Sequence, residues 1–572
     1  MKIYHAKLFV LAIGLSVFFA LIPDVFAEKA LRQKTGFLVL APDRGFLGNR
    51  EIESLFETFR KDYPAALALV GSNYNGVESE YAAYITRAIR TLKEDGATEI
   101  AVLPLFLSGA DPVLKKVRPH FAAYAAGMPV HWTAALSESH LSAQILLDRV
   151  SGKSRNPEQE HVVILGMGAM NEVDEAALRA DLEKLAAYVQ RYRPFQSVEI
   201  GIYYHRRADA ALKEAKNQAV DDLVIRSAAK KGHAIVAPFF IGPKFDNRMS
   251  MMHWVSRKFQ AYDLDFVDQE IMPHPNLLLW LKKAANAFLP PSEKETGVVI
   301  MPHGATQPYN DVVARVIAPL KSRYRIEMAY GMGDPALIQQ AVSRLEAEGI
   351  RRIVFVRMYS LSTQMKPLTD YILGLTNTPP PARSEGDAPP EQIRSAALFT
   401  AFGGYEENPA IAEILHERIR DISQAPSNET VILVSHGAGG DEADARWLER
   451  MEGHAERIRR LAKPAFRAIK TATLREDWPE KREAAVMQLK EMIEAGRQNG
   501  RVLLISNRLY GAGPYERFLA EVGLKKGEHY EMNGQGFAPH PILTRWLEAG
   551  IARAFQHFHR EDLKTASAAV SK

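Results

Sequence analysis

The stretch TVILVSHGA, residues 430–438, decides the fold. Its apolar residues Val431–Val434 end in Ser-His-Gly-Ala, and the polar stretch 439–446 follows. An apolar run of this length with a polar end predicts a buried parallel strand whose carboxyl end presents His436. Open α/β sheets bind their ligands at the carboxyl ends of such strands. The stretch therefore predicts both a fold class and the place of a site.

The same design recurs three times: TGVVIMPHGA (296–305), HVVILGMGA (161–169) and TGFLVLAPD (35–43). His303 stands at the tip of the first, whereas Met167 and Pro42 stand at the tips of the other two. The four tip positions are 125, 136 and 133 residues apart (167−42, 303−167 and 436−303). This period far exceeds the roughly 20–50 residues of solenoid and propeller repeats, so it indicates repeated domains.

Strands and helices alternate between these tips. In the third repeat, a helix over 311–321 precedes a strand over 325–330, and Asp334-Pro335 then begins another helix as N-cap and first-turn proline. This alternation predicts βαβ crossovers. The predicted fold class is α/β, with repeated flavodoxin-like units. Each unit is a four-stranded parallel sheet with helices on both faces.

A second level of duplication pairs the repeats. IMPHPNLLLWLKKA (271–284) and FAPHPILTRWLEAG (537–550) both contain Pro-His-Pro followed by a tryptophan six residues after the histidine. We interpret His274 and His540 as helix-start residues. Trp280 and Trp546 are interpreted as core. The predicted limits are a signal peptide 1–27, repeats at 30–155, 156–292, 293–424 and 425–560, and a tail 561–572.

The first residues predict export. Lys2 and Lys7 precede the apolar run Leu8–Ile22, and Val25-Phe26-Ala27 resembles a cleavage site. The run is short for a bilayer span of about 20 residues, so cleavage after Ala27 is favoured over an uncleaved anchor. The mature protein is therefore expected to be exported to the periplasm. It would meet the membrane only through this segment if the segment stayed uncut.

Composition excludes several classes of protein. The chain has 0 cysteines, so it forms no disulfide, offers no thiolate ligand and has no cysteine nucleophile. Its net charge of +4 over 572 residues does not indicate a nucleic-acid partner. It has no GxGxxG after a strand, no P-loop, no HExxH and no GxSxG. These absences argue against a nucleotide cofactor and against zinc-protease or α/β-hydrolase chemistry.

His303 and His436 are the leading candidates for catalytic and metal-ligating residues. Imidazole suits cobalt, iron, nickel and zinc, and it exchanges protons near neutral pH. The alternative is a hydrogen-bonded histidine that only caps the following helix. Gly304 and Gly437 allow close backbone approach and are candidate substrate-binding residues.

His205 is a third candidate. It ends the second strand of repeat 2 in IYYHRRAD (202–209). It could be a further nitrogen ligand for the metal. With Arg206 and Arg207 it could instead form a corner that binds substrate carboxylates. The plainer alternative is that these are exposed loop residues.

The pattern resembles the sirohydrochlorin cobaltochelatases, ATP-independent class II tetrapyrrole chelatases. Units of that family begin with a strand ending in His-Gly-Ser/Ala, continue with a "vvPlFL" strand and a histidine-bearing loop, and end in an "hP" helix. IMPHGA (300–305) and LVSHGA (433–438) match the first signature, and VLPLFLSG (102–109) and VAPFFIGP (236–243) the second. The Pro-His-Pro helices match the last. The resemblance covers nearly the whole mature chain as four units.

The resemblance implies that His303 and His436 bind the metal and accept protons. Two family residues are absent. The family's second histidine is missing from every repeat; Asp246 stands there in repeat 2. The glutamate after the second strand is also missing. His205, Gly331 and Arg475 fall at or near its place in repeats 2, 3 and 4.

Two functions remain open. The first, implied by the resemblance, is a lyase of cobalamin biosynthesis that inserts a divalent metal into a tetrapyrrole such as sirohydrochlorin without ATP. Cobalt or iron is expected, with nickel or zinc as further possibilities. The second is a non-catalytic exported protein, derived from chelatases, that binds metal or tetrapyrrole.

Overall fold

The structure, a computed structural model, describes residues 34–71, 78–242, 244, 251–304, 306–382 and 387–559. The predicted signal peptide, Asp246 and the tail 561–572 lie outside the described residues. Within the described ranges, no helix is both long and apolar enough to cross a membrane.

The chain divides into two compact units. Among the described residues, the first comprises those of 34–290 together with 382 and 387–397. The second comprises those of 291–381 and 398–559. The segment 382–397 lies inside the predicted limits of repeat 3, yet it belongs to the first unit.

Each compact unit contains two parallel sheets, one from each of its repeats. The strands of the first unit are β1 Thr35–Pro42, β2 Ala65–Val70, β3 Glu99–Pro104, β4 Val130–Trp132, β5 Glu160–Ala169, β6 Ser197–Tyr204, β7 His233–Pro238 and β8 Leu264–Phe266. Those of the second unit are β9 Thr296–Pro302, β10 Arg325–Met328, β11 Arg352–Met358, β12 Leu398–Gly403, β13 Glu429–Ser435, β14 Ala468–Thr473 and β15 Arg501–Ser506.

The strand order confirms the predicted fold class. The sheets run β2-β1-β3-β4, β6-β5-β7-β8 and β10-β9-β11-β12, all with parallel pairing. The first strand of each repeat is therefore central, as in flavodoxin-like sheets. Every residue of β9, β11 and β13 is buried, because helices cover both faces of a central strand.

Repeat 4 departs from the prediction of four strands. Its sheet has three strands in the order β14-β13-β15. The fourth position is reduced to Glu531, which forms an isolated parallel bridge to Leu503. The amide of Leu504 donates to the carbonyl of Glu531 at 2.8 Å, and the amide of Glu531 donates to Val502 at 2.8 Å. Two hydrogen bonds around one residue satisfy the edge of β15 without a full strand.

Helices connect the strands throughout the described chain. The first unit contains Gly45–Phe59, Glu78–Glu94, Pro112–Val117, Phe121–Tyr124, His140–Ser151, Glu172–Tyr192, Ala210–Ala228, Met251–Lys258 and Pro275–Asn286. The second contains Gln307–Ile317, Pro335–Ala347, Lys366–Ile372, Ile411–Arg420, Asp441–Leu461, Pro479–Arg497, Tyr515–Glu521 and Pro541–Gln556.

The last helix of each repeat packs on the other repeat of its pair. In the second unit, the helix Ile411–Arg420 is the last of repeat 3 but contacts β15 and the helix Asp441–Leu461 of repeat 4. The helix Pro541–Gln556 is the last of repeat 4 but contacts β11 and β12 of repeat 3. The first unit makes the same exchange, since its helices 140–151 and 275–286 contact β7 and β3 respectively. Each sheet face is therefore completed by its partner repeat.

The Pro-His-Pro histidines lock these exchanged helices together. His540 accepts a hydrogen bond from the amide of Ile542 at 3.2 Å and so caps its own helix. Its Nε2 lies 3.0 Å from the carboxylate of Glu417, on the other exchanged helix. His274 likewise caps its helix, and its Nε2 lies 3.1 Å from Asp148. The prediction that both histidines are helix-start residues is confirmed, and so is the burial of Trp280 and Trp546.

Arg394, in the segment that ends at Ala397, contacts the same carboxylate as His274. Arg394 holds both oxygens of Asp148, at 2.5 and 2.8 Å. Burial tends to raise the pKa of Asp148, but the hydrogen bonds from Arg394 and His274 outweigh it and hold that pKa well below its usual range. Asp148 therefore ties two helices and the inserted segment through one carboxylate.

We expect Trp546→Ala to destabilise repeat 3, although Trp546 belongs to the last helix of repeat 4. The Trp546 ring packs on Phe402 with centroids 5.6 Å apart. Its loss should lower the free energy of unfolding by about 3–5 kcal/mol. Hydrogen exchange should rise in β11 and β12 more than in β13. Trp478→Ala is the control, because Trp478 is 38% exposed. An increase in exchange confined to β13 would contradict the helix exchange.

Asp148→Asn should flatten the acid dependence of stability in the first unit. The pKa of Asp148 in the folded protein lies below its ordinary value. The stabilisation that its carboxylate gives is therefore present above the ordinary pKa of an aspartate and is lost as the pH falls below it. Between about pH 5 and pH 3 the parent protein should lose more stability than the variant. Urea unfolding across this range measures the difference. The control is Asp268→Asn, because the Asp268 side chain is 78% exposed; parallel curves for parent and Asp148→Asn would refute the role of Asp148.

Candidate functional site

Both candidate histidines lie in the second compact unit, each directly after a central strand. His303 follows β9 and His436 follows β13. The neighbouring strand ends shape each tip. The carbonyl of His303 accepts from the amide of Gly331 at 3.3 Å, and the carbonyl of His436 accepts from the amide of Glu476 at 3.2 Å. The two backbones are therefore held alike.

The two imidazole rings share one orientation. Nδ1 of His303 donates to the carbonyl of Gly304 at 2.9 Å, and Nδ1 of His436 donates to Gly437 at 2.8 Å. A proton fixed on Nδ1 leaves the lone pair of Nε2 for a metal or a proton, as in metal-ligating histidines. Neither histidine is the N-cap of the following helix, because the N-cap positions are Thr306 and Gly440.

His436 has a second potential ligand beside it. Its Nε2 lies 3.2 Å from Oδ2 of Asp477, a side chain that is 70% exposed. A distance of 3.2 Å fits a proton shared between Nε2 and the carboxylate. It is also close to the roughly 3.3–3.5 Å between two ligands of one tetrahedral metal, so a metal ion can take the place of that proton. The rings of Trp447 and Trp478 flank the imidazole, with centroids 6.2 and 6.1 Å away. His436 therefore stands in an aromatic setting with one carboxylate at its open nitrogen.

His303 is more open. Within the described chain, its Nε2 has no hydrogen-bond or ion-pair partner. Its backbone forms a hydrogen bond with the phenol of Tyr309, whose pKa burial raises to about 12, so that phenol is neutral at physiological pH. The ring of Tyr309 meets that of Tyr510 at 6.1 Å. His303 thus has a free nitrogen beside tyrosines but lacks a counterpart of Asp477.

Gly304 and Gly437 are required by the backbone. Their φ angles are +70° and +82°, which non-glycine residues rarely adopt. A Cβ on Gly304 would lie 3.0 Å from Tyr330, and one on Gly437 would lie 2.9 Å from the amide of Arg475. The neighbouring strand end accounts for both glycines, and their role in substrate binding stays a prediction.

Arg475 clasps the loop that follows His436. Its guanidinium donates to the carbonyls of Ala438 and Gly439 at 2.7 and 2.5 Å and pairs with Asp441 at 2.6 Å. Lys481 also reaches Gly439, at 2.7 Å. Near the position where the resemblance expects a glutamate, the protein therefore has a cation that stiffens the loop. This exchange removes one potential ligand.

His205, Arg206 and Arg207 lie in the first compact unit, at the end of β6. The amide of Arg207 donates to Nδ1 of His205 at 3.2 Å, which favours a proton on Nε2, the reverse of His303 and His436. Burial and then the two arginines lower the pKa of His205. Both arginine side chains are exposed. Across the described residues, no group of three or more histidines and carboxylates could hold a metal, so the predicted ligand set stays a prediction.

Sequence reasoning missed Asp477, Trp447 and Trp478. Asp477 is one of three consecutive polar residues after β14, and nothing in its spacing singles it out. The sequence contained a weak indication of the two tryptophans, because tryptophan is rare in this chain, with only 6 in 572 residues, and two of them follow His436 within 42 positions (478−436). A tryptophan soon after a histidine-tipped strand, as in SHGAGGDEADARW, could have suggested an aromatic partner.

No protein-family model and no curated protein matches this chain. Among solved structures, it is similar to the sirohydrochlorin chelatase SirB of Bacillus subtilis subspecies spizizenii in complex with cobalt. The identity is 14% over 44% of this chain and 92% of that one, with a TM-score of 0.31. It is also similar to SirB from Bacillus subtilis with Fe3+, at 14% identity over 44% of this chain and 93% of that one, with a TM-score of 0.34.

A third similar structure is a multi-domain protein of Deinococcus radiodurans with structural similarity to chelatases. The identity is 15% and the TM-score 0.31, over 47% of this chain and 56% of that one. At these identities and TM-scores, the fold assignment rests on the strand order, and membership of the cobaltochelatase family stays a prediction.

Gly437→Ala should distort the tip of β13. The positive φ costs a non-glycine residue about 1–2 kcal/mol, and the contact with the amide of Arg475 adds to it, so stability should fall by at least that much. Gly453→Ala is the matched control, because Gly453 lies in the helix Asp441–Leu461 with open space at its Cβ. That change should raise stability by up to about 1 kcal/mol. Equal effects in urea unfolding would contradict the close approach.

Proposed function

We propose that this protein handles a divalent transition metal at the strand tips of its second unit and inserts it into a tetrapyrrole. The observation that supports this most is the shared ring orientation: Nδ1 of His303 and of His436 is fixed by the next carbonyl, so Nε2 faces outward. His436 is the stronger candidate, because Asp477 stands at its Nε2.

A sparse ligand set suits transfer better than storage. Metal insertion needs a partly desolvated cation with open coordination positions, and it releases two protons from the ring nitrogens. One imidazole and one exposed carboxylate hold a cation weakly and leave positions open for those nitrogens. Entry of the divalent cation forms four metal–nitrogen bonds and displaces the two protons carried by two of the ring nitrogens. Asp477 can accept one proton, and Nε2 of His436 can accept the other once the metal has left it.

A flat macrocycle fits the apolar groups beside the tips. Trp478 is 38% exposed beside His436, and Tyr510 and Met332 are 36% and 40% exposed in the same unit. Aromatic and thioether side chains pack well on a planar ring. Cobalt or iron and a sirohydrochlorin-like ring are the proposed substrates, and no nucleotide is required. The segment 1–27 supports export to the periplasm as a further proposal.

The second candidate is an exported carrier that binds metal or tetrapyrrole without turnover. Arg475, near the position where the resemblance expects a glutamate, favours it, because a cation there weakens metal binding. The carrier and the chelatase share the same histidines, so binding alone does not separate them. Turnover does.

His436→Ala should lower the affinity for Co2+ by at least about 10-fold, and His303→Ala should lower it less, because His303 lacks a partner like Asp477. Calorimetry with Co2+ measures the affinity. The absorbance change on cobalt entering sirohydrochlorin measures turnover. Asp477→Asn should weaken Co2+ binding while leaving the fold intact, since Asp477 is 70% exposed.

His557→Ala is the control, because His557 is an exposed histidine of the same unit. It should leave affinity and turnover unchanged. Turnover that disappears in His436→Ala supports the chelatase. Co2+ binding without turnover under any condition supports the carrier. Co2+ affinity that is the same in the parent protein and in the double variant His303→Ala/His436→Ala would refute the chelatase and the metal carrier, and binding of sirohydrochlorin to both proteins would then test the tetrapyrrole carrier.

A further inference from the structure

A buried carboxyl group lies next to the aromatic setting of His436. Glu406 is 0% exposed. Its Oε2 accepts from Nε1 of Trp447 at 3.1 Å and from Nδ2 of Asn507 at 2.7 Å. Among the described residues it forms no ion pair, and burial raises its pKa to about 7. The charge of Arg450 and the hydrogen bonds to Glu406 lower that pKa but do not outweigh burial. Burying a carboxyl group without an ion pair costs free energy, so its presence calls for a role.

Trp447 connects this carboxyl group to the candidate metal ligand. The indole is 5% exposed and lies nearly parallel to the imidazole of His436, with 16° between the planes and 6.2 Å between centroids. Its Nε1–H is held by Glu406. Because the hydrogen bond fixes the plane of the indole, it also limits how far the imidazole can turn.

Repeat 3 supplies the carboxyl group, and repeat 4 supplies Trp447, Asn507 and His454 beside it. Glu406 lies in the turn after β12, where its amide donates to Ser360 at 3.1 Å. Asn507 follows β15, and its amide donates to the carbonyl of Val434 at 2.7 Å, two residues before His436. His454 is 2% exposed and forms a hydrogen bond with the backbone of Glu406. The network is therefore anchored to the backbone at several points.

The first compact unit provides an internal comparison. Its backbone makes the same contacts: the amide of Ser137 donates to Leu107 at 2.8 Å, and the amide of Phe239 donates to Leu165 at 2.8 Å. The helix that follows the tip has 21 residues in both units. Counting along these matched elements, the counterparts of His436, Trp447, His454, Asn507 and Glu406 are Met167, Leu178, Leu185, Phe239 and Ser137.

All five positions therefore change together. Where the tip residue is methionine, the tryptophan, the carboxyl group, the amide and the second histidine are absent as well. The first unit still folds with Leu178 and Leu185 buried in its core. The polar network is thus not needed to build this fold. Between these two matched tips, it is present beside His436 and absent beside Met167.

We propose that Glu406 and Trp447 are positioning residues that hold the imidazole of His436 with Nε2 directed outward. This inference deepens the proposed function and rests on it for the role of His436. It also makes the two histidines unequal: both rings are held through Nδ1, but His436 has the further support of Glu406 and Trp447.

The test uses the full chain carrying His303→Ala, so that His436 is the remaining candidate. Glu406→Leu removes the acceptor of the indole and should weaken Co2+ binding by about 10-fold, the size expected when support for a metal ligand is lost. Glu406→Gln keeps an acceptor oxygen and should stay within about 2-fold of the parent. Rescue by glutamine and not by leucine points to the hydrogen bond as the cause.

Two measurements separate positioning from stability. Trp546→Phe alters a core tryptophan of the same unit and should lower stability while leaving Co2+ affinity unchanged. Imidazole 15N spectra of the metal-free protein, with the His436 signal assigned by its loss in His436→Ala, report the proton on Nδ1. That signal should change in Glu406→Leu and persist in Glu406→Gln.

The outcomes are distinct. Parent-like Co2+ affinity together with a parent-like His436 spectrum in Glu406→Leu overturns the inference. If the His303→Ala protein binds no Co2+, the proposed function of His436 fails, and the metal-free spectrum alone then decides whether Glu406 positions the ring. A His436 signal that changes in Glu406→Leu but not in Glu406→Gln supports the positioning role. A signal that changes in neither variant overturns it.

Discussion

The exchange of last helices between paired repeats is the constraint on which the rest of the structure depends. A parallel sheet must be covered on both faces, and here part of each cover comes from the other repeat of the pair. His540 and His274 fix the exchange, because each caps its own helix and reaches a carboxylate on the opposite one. Packing between the repeats also places Glu406 of repeat 3 against the indole of Trp447 in repeat 4, next to His436. The candidate site is thus a product of the pairing.

Most of the fold could be predicted from local pattern. The runs that became β9, β11 and β13 are apolar because both of their faces are covered, and such runs are visible in the sequence. Asp334 caps its helix as its position beside Pro335 predicts. The prediction of a fourth strand in repeat 4 was wrong. Glu531 alone pairs with β15 there, and a single residue has no hydrophobic pattern that a sequence could reveal. The placement of 382–397 in the first unit was also missed, since contacts such as that of Arg394 with Asp148 join residues 246 positions apart.

The candidate site was only half predictable, for a related reason. His303 and His436 stand out because strand tips follow from hydrophobic runs. Their partners do not, because Glu406, Trp447 and Asn507 come from three separate elements, and their contacts join residues 41 and 101 positions apart. Comparison of the two units identifies these partners where sequence spacing does not, because the first unit has the same framework with Met167 and the buried Leu178 and Leu185 in their place.

The helix exchange also limits how such a chain can grow. One repeat on its own would leave a sheet face open and would hold a helix with nowhere to pack, unless two copies met about a twofold axis and traded their last helices. A gene that lengthens by copying this architecture would therefore add repeats two at a time. An odd number would leave one unpaired, with a sticky surface facing solvent.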